Sequence, residues 1–281
     1  MKKSLIALAL VGAFAAPGAV QVAAAADEAS PHTITGNMTL ATSYRFRGID
    51  QTYGKPTLQG GIDYSHASGL YVGNWNSNVS SGAGFPDGNL EMDFYGGWRG
   101  AFGDFGVDVG AIYYYYPGSD GGVLDTRADD GPVTNKEIYL GASWKFVSVK
   151  YSYSIDDYFS LRGTSTNAGK STSGTSYLET NLSYDLGNGW GVNGHVGRLY
   201  TKNIKNGDYT DWKVGVTKDV SGWIVGLSYV DTNADGNCKK AFQPYCFSSS
   251  NSDVSGALVT NTSKTKDAGR GIAILSVSKS F

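Results

Sequence analysis

Apolar and polar side chains alternate with a period of two along most of this chain. In segment 34–47, Ile34, Met38, Leu40, Tyr44 and Phe46 share one face with Gly36 and Thr42. Asn37, Thr39, Ser43, Arg45 and Arg47 share the other. Successive side chains of an extended strand point to opposite sides, so the pattern predicts a strand with one apolar and one polar face. The same alternation marks 90–99, 105–116, 137–146, 149–156, 177–186, 211–217 and 223–229. It is weaker over 58–64, 190–198, 71–79, where Leu70 and Val72 disturb an apolar face of Tyr71, Trp75 and Val79, and 273–281, where Ile272 and Ile274 fall on the polar side. These segments make twelve predicted strands.

The connections alternate too. Short ones lie at 65–69, 100–104, 147–148, 186–189 and 219–222, and longer ones at 48–55, 80–88, 117–134, 157–175, 200–208 and 231–268. A soluble sandwich has no reason to sort its loops by parity. A barrel that crosses an outer membrane does, with short turns periplasmic and long loops extracellular. The predicted strands are near the ~9–11 residues that a tilted crossing strand needs. Lipid offers no partner to an open sheet edge, so the last strand must pair with the first. The expected fold class is therefore all-β: a transmembrane antiparallel barrel of about twelve strands. Aromatics near the strand ends, among them Tyr44, Phe46, Trp98, Trp144, Phe146, Trp190 and Trp223, fit rings at the lipid–water boundaries.

Composition agrees. The 281 residues include 39 Gly, 19 Tyr, 11 Phe and 6 Trp, with 17% charged, a bias toward strands and tight turns. A net charge of −2 gives no footprint for nucleic acid. Three His and two Cys leave little for a His/Cys metal site. At the start, Lys2 and Lys3 precede an apolar stretch from Leu5 to Val20 and small residues through Ala26, the pattern of a secretory signal peptide. We expect residues 1–26 to be removed and 27–281 to form one barrel domain.

The run Thr39-Leu40-Ala41-Thr42-Ser43-Tyr44-Arg45-Phe46-Arg47-Gly48-Ile49-Asp50-Gln51-Thr52, with 56–66 and 68–79 after it, resembles the TorF-type porin family of proteobacterial outer-membrane proteins. The terminal strand ending on Phe281 adds to the resemblance, although Lys279 stands where many such proteins carry an apolar residue. The resemblance implies a Gram-negative outer-membrane barrel and a channel. It brings no substrate and no catalytic residue.

If the apolar faces meet lipid, the polar faces line the interior. The expected pore-lining residues are Arg45, Arg47, Asp63, Glu91, Asp93, Arg99, Asp108, Glu137, Lys145, Lys150, Glu179 and Lys213, with Asp156, Asp185 and Asp211 on the same faces. Tyr95, Tyr114, Tyr116, Tyr139 and Tyr177 point inward as well, either to bind solute or to fill the bore. Arg45 and Arg47 read as an anion constriction or as structural cations pinned by acids such as Asp63. His195 lies on a lumen face, out of phase for a lipid-facing Ser/His esterase. Residues 231–237 match the first half of a calcium loop, but Phe242 stands at its twelfth position. Cys238 and Cys246, seven residues between them, share one long loop that passes an oxidising compartment, so a disulfide is expected there. The function expected is passive diffusion of small hydrophilic solutes, without cofactor, with outer-membrane lipid and small polar solutes as partners. The alternative is a non-conducting barrel whose loops bind a partner or surface.

Overall fold

The computed structural model describes residues 30–123, 131–248 and 264–281; the expected signal peptide, 1–26, lies outside them. Twelve strands close into one antiparallel barrel. They are β1 (His32–Ala41), β2 (Thr57–His66), β3 (Leu70–Asn78), β4 (Leu90–Phe102), β5 (Phe105–Tyr116) and β6 (Val133–Trp144), followed by β7 (Val147–Ser154), β8 (Ser176–Gly187), β9 (Trp190–Tyr200), β10 (Tyr209–Val220), β11 (Trp223–Thr232) and β12 (Ile272–Ser280). Each strand pairs with its sequence neighbours.

The seam between β1 and β12 runs from Asn37 opposite Ser280 to Ala41 opposite Ser276. The chain end extends it: the Gly36 N–H donates to the Phe281 carbonyl (2.7 Å), and the Phe281 N–H returns the bond (2.9 Å). The Phe281 ring lies where a Cβ on Gly36 would stand. Closure leaves no strand edge for lipid to meet.

The outside is apolar. Ile34 is 72% exposed, Ile62 63% and Leu140 59%, within a band of exposed Leu, Val, Tyr and Trp running round the barrel. Such a surface is tolerable against acyl chains and not in water. One end carries tight turns between β2 and β3, β4 and β5, β6 and β7, β8 and β9, and β10 and β11; the other carries the long connections. Both ends of the barrel chain, His32 and Ser280, lie at the turn end.

Two expectations change. The first strand ends at Ala41 rather than at Arg47, because the chain then leaves the wall and turns inward. Arg45–Phe46 and Ile49–Asp50 pair as a separate ribbon, Arg45 opposite Asp50 and Phe46 opposite Ile49. Arg47 (φ 48°) and Gly48 (φ 78°) make its two-residue turn, and paired positive φ values give the turn whose twist suits a tight hairpin. Tyr44, expected in the lipid-facing girdle, is fully buried inside, and Phe46 packs there too. In β3 the phase is the reverse of the expected one. Leu70 and Val72 face outward, while Tyr71 is buried and Trp75 packs against the interior cluster.

Candidate functional site

The interior is built in two levels. Toward the turn end, tyrosines on one strand lie over glycines on the next. A Cβ on Gly73 would fall on the Tyr95 ring, one on Gly97 on the Tyr71 hydroxyl, and one on Gly110 on the Tyr139 hydroxyl. Each pair is directly opposed in the sheet. The missing side chain lets the ring lie along the wall instead of standing out into the bore. The hydroxyls then meet wall carboxylates: Tyr95 donates to Asp63 (2.7 Å) and Tyr71 to Asp108 (2.6 Å). Arg99 pairs with Asp108 at 3.0 Å and lies 4.0 Å from the Tyr71 ring centre. Lys150 pairs with Glu179 at 3.0 Å.

Next to these, His195 joins three strands of the wall. Its Nδ1 meets the Asn181 side-chain oxygen (2.7 Å), and its Nε2 meets Asp211 (2.9 Å) and the Tyr177 hydroxyl (2.9 Å). Lys213 is buried in the same wall. The histidine is thus held as a structural hub by amide, carboxylate and phenol.

Toward the loop end the inward hairpin fills the bore. Ala41 belongs to β1, yet Arg47 reaches Glu137 on β6, ninety residues away and almost opposite in the strand order. The contact is a fork: Nη2 to Oε2 at 2.7 Å and Nη1 to Oε1 at 3.0 Å. Nη1 also donates to the Tyr158 hydroxyl (3.2 Å), and the guanidinium lies 4.4 Å from the Tyr177 ring centre. On a third side, the Tyr209 hydroxyl of β10 donates to the Arg47 carbonyl (2.8 Å). Burial pulls the Arg47 guanidinium toward neutrality, and the facing Glu137 carboxylate together with the Tyr158 and Tyr114 hydroxyls more than reverses this, leaving its pKa raised. Burial pushes the Tyr158 hydroxyl up to about 12.

Arg45 holds the base of the hairpin to the last loop. Its Nη1 donates to the carbonyls of Ala268 (2.6 Å), Gly48 (3.3 Å) and Arg270 (3.3 Å). Asp50 lies 3.8 Å from its guanidinium and forms an ion pair with Lys266 at 2.5 Å. Burial lowers the Arg45 pKa, partly offset by Asp50. Two further acids stand at the loop end of the wall. Glu91 and Asp93 are fully buried on β4. Glu91 accepts from Tyr116 (2.9 Å), and neither Asp93 oxygen has a hydrogen-bond partner among the described residues.

Of the twelve expected lining residues, Asp63, Glu91, Asp93, Arg99, Asp108, Glu137, Lys150, Glu179 and Lys213 stand on barrel strands with inward phase. Three do not stand in the wall. Arg45 and Arg47 are on the inward hairpin, and the acid that pins Arg47 is Glu137, not Asp63. Lys145 occupies the β6–β7 turn, exposed, 3.9 Å from Asp104 and 4.7 Å from the Trp144 ring centre. A positive φ of 54° there takes it out of the strand alternation that placed it inside. Asp156 likewise sits beyond β7, paired at 2.8 Å with Lys136 and exposed. Sequence reading missed Tyr158 and Phe159, which close on the hairpin from the β7–β8 loop. The signal was Tyr158, Phe159 and Leu161 close together in a loop otherwise rich in polar residues.

Cys238 and Cys246 are joined in a disulfide within the β11–β12 loop, their Cα atoms 5.1 Å apart. Among the described residues no group of three or more His, Cys, Asp or Glu side chains is arranged to hold a metal ion.

A family model described as a bacterial protein of unknown function (Gcw_chp) matches residues 25–265. No curated protein matches the sequence. Among solved structures, the NanC porin aligns with 88% of this chain and 99% of its own at 8% identity and a TM-score of 0.50. The KdgM porin aligns with 88% and 98% at 9% identity and a TM-score of 0.47. At these identities the likeness to the NanC porin is one of fold.

Proposed function

The chain belongs to the Gcw_chp family of bacterial proteins of unknown function, and from its barrel we propose an outer-membrane channel that passes small hydrophilic solutes through a narrow, hairpin-restricted bore. The observation that carries this reading is the closed sheet that is apolar outside and lined inside by carboxylates, cations and tyrosine hydroxyls. Such a sheet suits lipid on one side and water on the other. The short turns are then periplasmic and the hairpin extracellular. Export by a cleaved signal peptide and the finer likeness to TorF-type porins belong to the same proposal. His195, the residue nearest in kind to a hydrolase base, is engaged in a wall network, so the reading is a conduit and not an enzyme.

The filled loop end sets the character of the path. Arg47 is neutralised by Glu137, and Glu91 and Asp93 are sealed from the water path, so the filled end adds little net charge to the bore. The same filling favours the second reading, a barrel closed at rest whose loops are the working part.

Purified protein in planar bilayers tests the proposal. Small steps are expected, rising when the hairpin is loosened. Absence of conductance both from the wild type and from a chain lacking the hairpin would overturn it and leave the loops as the functional surface.

A further inference from the structure

Above the hairpin lies a cavity that a path for polar solutes does not need. It encloses about 300 Å³ between the hairpin and the loops that follow β3, β7, β9 and β11. Its walls include the phenyl rings of Phe46, Phe85, Phe159 and Phe247, none of which carries a polar atom. Phe46 and Phe159 meet edge to face, with ring centres 5.6 Å apart, and form part of its floor. Packing of this kind gives a preformed apolar slot, of the size that small-molecule sites begin at.

Charge at the slot has one sign. Arg162 and Lys205 line it, and no Asp or Glu does among the described residues. Arg162 is shared with Asp157 at 3.1 Å. The exposed Lys205 lies with its ammonium 4.5 Å from the Phe242 ring centre, so the cation is held over an aromatic face at the rim. A ligand that fills the slot and meets this rim must be flat and apolar at one end and anionic at the other.

We propose that this cavity is a binding site for aromatic carboxylates, the ring seated among the phenylalanines and the carboxylate at Lys205 and Arg162. Binding there does not depend on whether the barrel conducts, so failure of the channel reading leaves it standing, and the converse holds.

The test is calorimetric titration of the full chain in detergent micelles with 2-naphthoate, with acetate and 2-naphthalenemethanol as the probes lacking the ring or the charge. Saturable binding of 2-naphthoate is expected, acetate giving none and the alcohol binding about tenfold more weakly, the loss of one good polar contact. Lys205→Gln should weaken 2-naphthoate several-fold. Ala168→Trp, at an exposed lining position that can take a large side chain without disturbing the barrel, should abolish it. Heat-modifiable gel migration confirms that both variants are folded. No saturable binding by the wild type, or equal binding by Ala168→Trp, overturns the site. Equal affinity for acid and alcohol overturns the assignment of the ligand as an anion.

Discussion

At the loop end of the interior, the Arg47–Glu137 pair is almost sealed, its side chains 6% and 2% exposed. At the turn end, the Arg99–Asp108 pair keeps 24% and 27%. Both are arginine–carboxylate contacts of similar length, yet they belong to different physical regimes. The first sits in a packed cluster of aromatic rings, where each charge depends on the other for solvation. The second lies along a wall whose tyrosines are folded onto glycines, and water shares the work. The contrast teaches that a barrel wall by itself need not occlude its bore. Occlusion here comes from a segment that leaves the wall and is fastened to the far side.

The largest effect should follow from removing that segment. Replacing residues 43–53 with a short Gly/Ser linker should raise single-channel conductance several-fold while the barrel stays folded; unchanged conductance would mean that the bore is set elsewhere. Arg47→Met should come next. Breaking one side of a buried pair costs about 3–5 kcal/mol, here against hairpin docking, so conductance should rise less than in the deletion and flicker more. Adding Glu137→Leu to Arg47→Met should recover part of the closed behaviour, because the stranded carboxylate is gone.

Asp93→Asn should change conductance little. Asp93 is buried without a hydrogen-bond partner among the described residues, where a charge would carry a desolvation cost, so the neutral amide should leave thermal stability unchanged or higher and the reversal potential unmoved. A drop in stability would show that Asp93 has a structural partner. Arg99→Gln should do least, costing about 1 kcal/mol or less and changing ion selectivity only slightly. A large stability loss there would erase the distinction between the two halves.

The barrel strands were legible because lipid enforces a simple code. With one face in acyl chains and one in the bore, period-two alternation persists for the length of each crossing, and the parity of the loops reports the topology. The same code misled at 42–47. A hairpin packed inside the bore is itself a ribbon with two faces, so Tyr44, Arg45, Phe46 and Arg47 continue the alternation of β1 after the chain has left the wall. The local sign of departure was Gly48, a residue that suits a tight turn, and one glycine carries little weight beside a longer run in phase. In β3 the code failed for a different reason. Tyr71 and Trp75 are inward, in a bore that tolerates rings wherever a facing residue such as Gly97 or a neighbour such as Tyr44 makes room.

Sequence alone determined the number of strands, the phase of most of them, the sorting of short and long connections and the nearness of Cys238 to Cys246, since these follow from neighbours in the chain and from the two solvents a spanning strand must satisfy. Only the tertiary structure decided that Arg47 answers to Glu137 across the bore, that tyrosines lie on glycines, and that five connections enclose an aromatic slot. Those contacts join residues brought together by barrel closure, and no periodicity along the chain records which side chains will meet across an enclosed space.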